Sequence, residues 1–148
     1  MDLEVRLKRE GLRVASLTKR IISMSIDDFL VSLIIFLAFI DSFSQIKTYD
    51  EMIVLIDSLF VYVFIAYTLY HWIFVALYGK TIGKMITKIK VVDIKTLSTP
   101  SWSSAFVRSL IRNFDEMFLY LGVMYAIFDP FNRAIHDIAG RCVVVEDN

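Results

Sequence analysis

IVLIDSLFVYVFIAYTLYHWIFVALY, residues 53–78, is an apolar run interrupted by only one acidic residue, Asp57, and one histidine, His71. As a helix it extends about 39 Å, longer than the ~30 Å hydrocarbon core of a bilayer. A second run, residues 21–40, carries only Asp27 and Asp28 as charges and is also long enough to cross. Two such segments in 148 residues, with 57% hydrophobic residues and a mean hydropathy of +0.60, argue against a soluble domain and predict an integral membrane protein.

The formal net charge is zero, but the charges are segregated. Six basic residues fall in 1–20, one (Lys47) in 41–52 and five in 79–103; Arg108, Arg112, Arg133 and Arg141 complete the set. Basic residues are retained on the cytoplasmic side. Residues 1–20 and 79–103 therefore read as cytoplasmic and 41–52 as external, which makes the two spans an antiparallel hairpin in the inner membrane. Residues 1–20 lack the apolar core of a signal peptide and read as a basic arm, either a short helix or a loose juxtamembrane segment attracted to anionic headgroups. The single Cys142 excludes a disulfide framework.

Beyond the second span, Lys80, Lys84 and Lys88 recur every four residues, while Ile82, Ile86 and Ile89 fall on another face. This spacing predicts an amphipathic surface helix with its lysines towards lipid phosphates. A β-rich stretch at 89–94 and a matching one at 142–145 pair only if they share a compartment, so both read as cytoplasmic strands packed on that helix. Between them, 103–115 is amphipathic, with Arg108 and Arg112 one turn apart. Residues 117–128 are apolar but too short to cross, so the third hydrophobic segment, about 104–131, reads as re-entrant or interfacial. Residues 132–148 then form a cytoplasmic C-terminal segment. The expected fold is all-α: two transmembrane helices, this third helical segment, and a small two-stranded β element.

Ionisable residues within spans are costly and face protein or water. Arg20 and Asp27, seven residues apart, share a helix face with Ser23. A long guanidinium reaching back and a carboxylate reaching down do not meet, so Asp27 needs another partner. Arg108, Arg112, Arg133 and His136 are the candidates, with Asp28 a neighbour about 100° away. His71 reads as a hydrogen-bonded packing residue. No second His or Cys lies at ligand spacing, so neither a metal site nor any other cofactor is expected. Gly79-Lys80-Thr81 imitates the end of a phosphate-binding loop, but the required upstream glycine falls at Phe74, inside the second span.

These residues resemble the RDD family of small membrane proteins. The likeness lies in Arg20 with Asp27, the second span, Gly-Lys-Thr-Ile-Gly-Lys at 79–84 and Lys-Val-Val-Asp at 90–93. Arg108, His136-Asp137, Ala139-Gly140 and Val143-Val144 then follow in order. It covers about 14–145 within a membrane domain drawn at 21–145. The resemblance implies that Arg20, Asp27 and Asp137 are the family's characteristic charged set. Ser23 and Cys142 stand where alanine and threonine are usual. The family is mostly bacterial, its activity is generally unassigned, and transport of ions or small ligands has been suggested for it. Two spans enclose no pathway, so the expected function is ion or small-solute transport by a homo-oligomer or with a membrane partner, Asp27 being the proton- or cation-binding carboxylate. The alternative is a non-transporting interaction module whose arginines and aspartates are structural. No nucleophile–base pair or metal set suggests an enzyme, and no feature suggests a nucleic-acid partner.

Overall fold

The computed structural model describes residues 2–118 and 120–147. The elements in chain order are α1 (Leu3–Arg9), α2 (Leu17–Ala38), α3 (Ile40–Ser44), α4 (Tyr49–Tyr78), α5 (Ile82–Ile86) and β1 (Ile89–Asp93). They are followed by α6 (Trp102–Met117), α7 (Leu121–Tyr125), α8 (Ile135–Ala139) and β2 (Cys142–Glu146).

The two long apolar helices, α2 and α4, form the antiparallel hairpin, and both are long and apolar enough to cross a membrane. Each begins earlier than the hydropathy run, because its start is set by a capping side chain. Ser16 accepts from the Lys19 N–H (3.3 Å) and Thr48 from the Glu51 N–H (3.3 Å). Arg20 thus lies inside α2, in its first turns. Helix α4 ends at Gly79, whose φ of 68° is the left-handed closure that glycine adopts without a Cβ penalty. Phe29, Ile34, Val54 and Val61 leave the outward faces of the pair apolar and exposed, as lipid contact requires.

β1 and β2 pair antiparallel in the register Val91↔Val144. A lone strand pair is marginal in water, and here both of its faces are covered. One face packs Val91 and Val144 with Val75 of α4 and Ala105 of α6. The other packs Val92, Val143 and Val145 against Leu7 of α1. The N-terminal segment thus takes the short-helix form of its two expected readings, and that helix docks on the sheet. Arg6 donates to the carbonyls of Ile94 (2.8 Å) and Lys95, and Val14 bridges to Val145.

The lysine-striped surface helix does not form. Gly79 and Lys88 are both left-handed (φ 68° and 54°), so only five residues between them are helical, too few to align three lysines. Lys84 is buried, Lys80 pairs with Asp147, and Lys88 is exposed.

Helix α6 runs antiparallel along α4. Trp102 packs on Trp72 with ring centroids 5.8 Å apart, and one α6 turn after another follows to Phe114 on Phe64 (5.7 Å). Asn113 locks this contact by donating to the Phe64 carbonyl (3.1 Å) and to Thr68 Oγ1 (2.5 Å). The chain then reverses through α7. Asp115 accepts from the Gly122 N–H, and a Cβ at Gly122 would lie 2.6 Å from the Asp115 carboxyl carbon. Helix α8 returns beside α6, delivering β2 to β1.

Candidate functional site

Where α2, α4, α5, α6 and α8 converge, the interior is charged. Arg20, Asp27, Lys84, Arg108, Arg112, Asp115 and Asp137 are each less than a tenth exposed. Isolated charges at such burial would neutralise, so the pairing pattern decides what the site is.

Asp137 is the most heavily satisfied. It is the third residue of α8, and its Oδ2 accepts from the Ala134 N–H (3.0 Å) and from Arg20 of α2. Its Oδ1 accepts from Arg108 Nε (3.0 Å) and Nη2 (2.8 Å) of α6. Arg20 spends its other arm on the Asn132 carbonyl (2.5 Å). Burial works to raise the Asp137 pKa, but Arg20, His136 and Arg108 together hold it well below the usual carboxylate range. Two arginines sharing one carboxylate tie three helices that are remote in sequence.

Asp27 pairs differently from the expectation: neither Arg108, Arg112, Arg133 nor His136 reaches it. Its Oδ1 accepts from the Tyr70 hydroxyl (2.7 Å) and the Gly83 N–H (2.8 Å), and its Oδ2 from Thr81 Oγ1 (2.5 Å). Lys84 Nζ stands 3.8 Å from Oδ2. Donors come from α4 and from the Gly-Lys-Thr-Ile-Gly-Lys turn, so that turn does cradle an anion, and the anion is the protein's own carboxylate. A Cβ at Gly83 would lie 2.9 Å from the Asp27 carboxyl carbon and collide with the Ser23 carbonyl. Burial, reinforced by Arg112 and Arg108, pushes Lys84 down to about 7, against the pull of Asp27.

Arg112 instead bridges Asp28 (Nη2 to Oδ1, 3.2 Å) and Glu116 (Nε to Oε1, 2.8 Å). Asp28 is thus a paired member of the cluster, and it also accepts from the Tyr120 hydroxyl (3.1 Å). Arg133 pairs with Asp129 (2.8 Å), away from the cluster. His136 lies between Asp115 (3.5 Å) and Asp137 (3.6 Å), and burial lowers its pKa to about 4.

Five buried polar atoms among the described residues find no hydrogen-bond partner: both ring nitrogens of His71, Arg108 Nη1, Asp115 Oδ2 and His136 Nδ1. His71 is therefore not the hydrogen-bonded packing residue its sequence position suggested. Arg20, Lys84, Arg108, Arg112 and His136 line a small void between them. Sequence spacing gave no metal set, yet folding brings Asp28, His71 and Glu116 together, with one ligand atom from each within 4.8 Å of the others. Tyr70, Thr81, Gly83, Asp115 and Tyr120 also belong to the site and were not singled out for it from sequence. The one available signal was the polar Thr81-Gly83 pair inside an otherwise unexplained glycine–lysine motif.

Comparison with known proteins places these features in a context. The model described as "RDD family" matches residues 14–141. A curated relative named "Uncharacterized membrane protein YteJ", from Bacillus subtilis (strain 168), is 29% identical over 83 residues, which cover 56% of this chain and 50% of the relative. The matched region thus spans about half the length of the curated relative. No solved structure matches.

Proposed function

The chain belongs to the RDD family of membrane proteins, and from that premise we propose that it contributes to proton- or cation-coupled transport as an oligomer. One observation carries this reading: Lys84 and Asp27, both buried, face each other at 3.8 Å, where burial pushes the lysine's pKa down to about 7. A lysine kept only as a structural cation would sit where its charge is secure. This one is positioned to give up a proton close to physiological pH, beside a carboxylate that its departure leaves uncompensated.

The membrane arrangement we propose has two full spans, α2 and α4, with α6 and α7 as a re-entrant pair. The terminal segments and the sheet then lie on the cytoplasmic face of the inner membrane. The return of α8 beside α6 and the pairing of β2 with β1 support it. So does the concentration of basic residues in 1–20 and 79–103. Two spans enclose no conduit, so the pathway requires a second copy or another membrane subunit.

The alternative, an interaction module with purely structural charges, draws on the Arg20–Asp137–Arg108 assembly, which is fully paired except at Arg108 Nη1. Reconstitution into liposomes with pH- and cation-gradient readouts separates the two. Transport predicts a flux that Asp27→Asn and Lys84→Met abolish while both proteins still reconstitute. No flux from folded wild-type protein supports the scaffold.

A further inference from the structure

We propose that Asp28 of α2, His71 of α4 and Glu116 of α6 form a binding site for a divalent first-row transition-metal ion of the Zn2+ type. Each helix contributes one ligand, and the three ligand atoms lie within 4.8 Å of one another. Metal–ligand bonds of about 2.0–2.2 Å place tetrahedral neighbours roughly 3.3–3.5 Å apart. Closure therefore asks each side chain to move by about an ångström, within the reach of side-chain rotation.

His71 points to the ligand. It is 0% exposed, and neither ring nitrogen has a partner. Burying an imidazole without hydrogen bonds costs stability, and a metal bond to one ring nitrogen removes part of that cost. The carboxylates are prepared for the same role. Arg112 holds one oxygen of each, Asp28 Oδ1 and Glu116 Oε1, and Tyr120 steadies Asp28 through Oδ2. Carboxylate ligands are commonly oriented by hydrogen bonds of this kind, which fix their geometry. One imidazole with two carboxylates suits zinc, manganese or iron better than sodium, potassium or calcium, which take oxygen alone. The two carboxylates and one guanidinium leave a formal charge of −1 at the site before an ion enters. Asp28 and Glu116 are only partly buried, with side chains 25% and 18% exposed. Three protein ligands leave a fourth position for water or a bound solute. The site is separate from the Asp27–Lys84 pair and stands whether or not that pair carries protons.

The test uses the full chain in detergent, stripped with a chelator, then titrated with Zn2+ alone against a chromophoric competitor and with Co2+ alone for its visible spectrum. One equivalent of Zn2+ should bind, with Co2+ giving the absorption of a low-coordinate nitrogen–oxygen site. His71→Phe keeps an aromatic ring where no hydrogen bond is lost, and Glu116→Gln keeps the acceptor for Arg112. Each should weaken binding at least tenfold and remove the rise in melting temperature that Zn2+ gives the wild type. Lys8→Ala, at an exposed surface pair outside the set, should bind like wild type. Absence of stoichiometric binding by the folded wild type overturns the proposal, as does unchanged binding in folded His71→Phe or Glu116→Gln.

Discussion

Arg20 and Asp137, 117 positions apart in the sequence, form a buried ion pair that joins the start of α2 to α8. Arg108 completes it from α6, so one carboxylate holds the third hydrophobic segment and the first span together.

Removing that carboxylate should be severely destabilising. Asp137→Asn leaves two buried guanidiniums without their counter-charge, and breaking a buried pair from one side costs ~3–5 kcal/mol. Thermal melts in detergent should show a large drop. Lys8→Ala, which removes an exposed pair with Glu4, should change the melt little.

Glycine substitutions should rank by what a Cβ meets. Gly83→Ala drives a methyl against Asp27 and the Ser23 carbonyl, and Gly122→Ala drives one against Asp115. Each should cost roughly 1–3 kcal/mol or more, as overpacking does. Gly11→Ala meets no atom within 4 Å and carries only the strain of φ 66°, about 1 kcal/mol. Equal melting temperatures for all three would contradict the packing described.

Stability should rise with pH in two windows. His136 titrates at about 4 in the folded chain against an ordinary 6.5, and Lys84 at about 7 against 10.5. In both cases the unfolded chain holds more protons between the two values, so raising the pH favours the folded state there. Denaturation followed from pH 4 to 6.5 should lose slope in His136→Gln. From pH 7 to 10.5 it should lose slope in Lys84→Met. Asp137 acts at the acid extreme: its stabilisation is present above the ordinary carboxylate pKa and is lost as pH falls through the lowered one.

The two long helices and the strand pair were legible because each rests on a local signal, an apolar run or a β-branched cluster such as Val143-Val144-Val145. Asp27 and Asp28 were legible for the same reason, since a carboxylate in an apolar segment is conspicuous, whereas Asp137 was marked only by the family resemblance. Their partners were not legible. Arg112 reaches Asp28 across 84 positions and Arg108 reaches Asp137 across 29, choices set by how α6 docks on α4 through Asn113. The lysine stripe misled because a four-residue period means one face only in a continuous helix. Gly79 and Lys88, both left-handed, interrupt that helix. His71 and Glu116 lie 45 positions apart, so no spacing rule could have joined them to Asp28.

The charge state of Lys84 tests the central claim most directly. With lysines labelled at Cε or Nζ, NMR of the protein in detergent micelles or nanodiscs should show one lysine signal titrating with a midpoint near pH 7. That signal should be absent from Lys84→Met and should shift upward, towards the ordinary lysine range, when the neighbouring Arg112 is replaced by Gln. If every lysine, Lys84 included, stays protonated to above pH 10, the Asp27–Lys84 pair is a fixed ion pair and cannot carry protons at physiological pH.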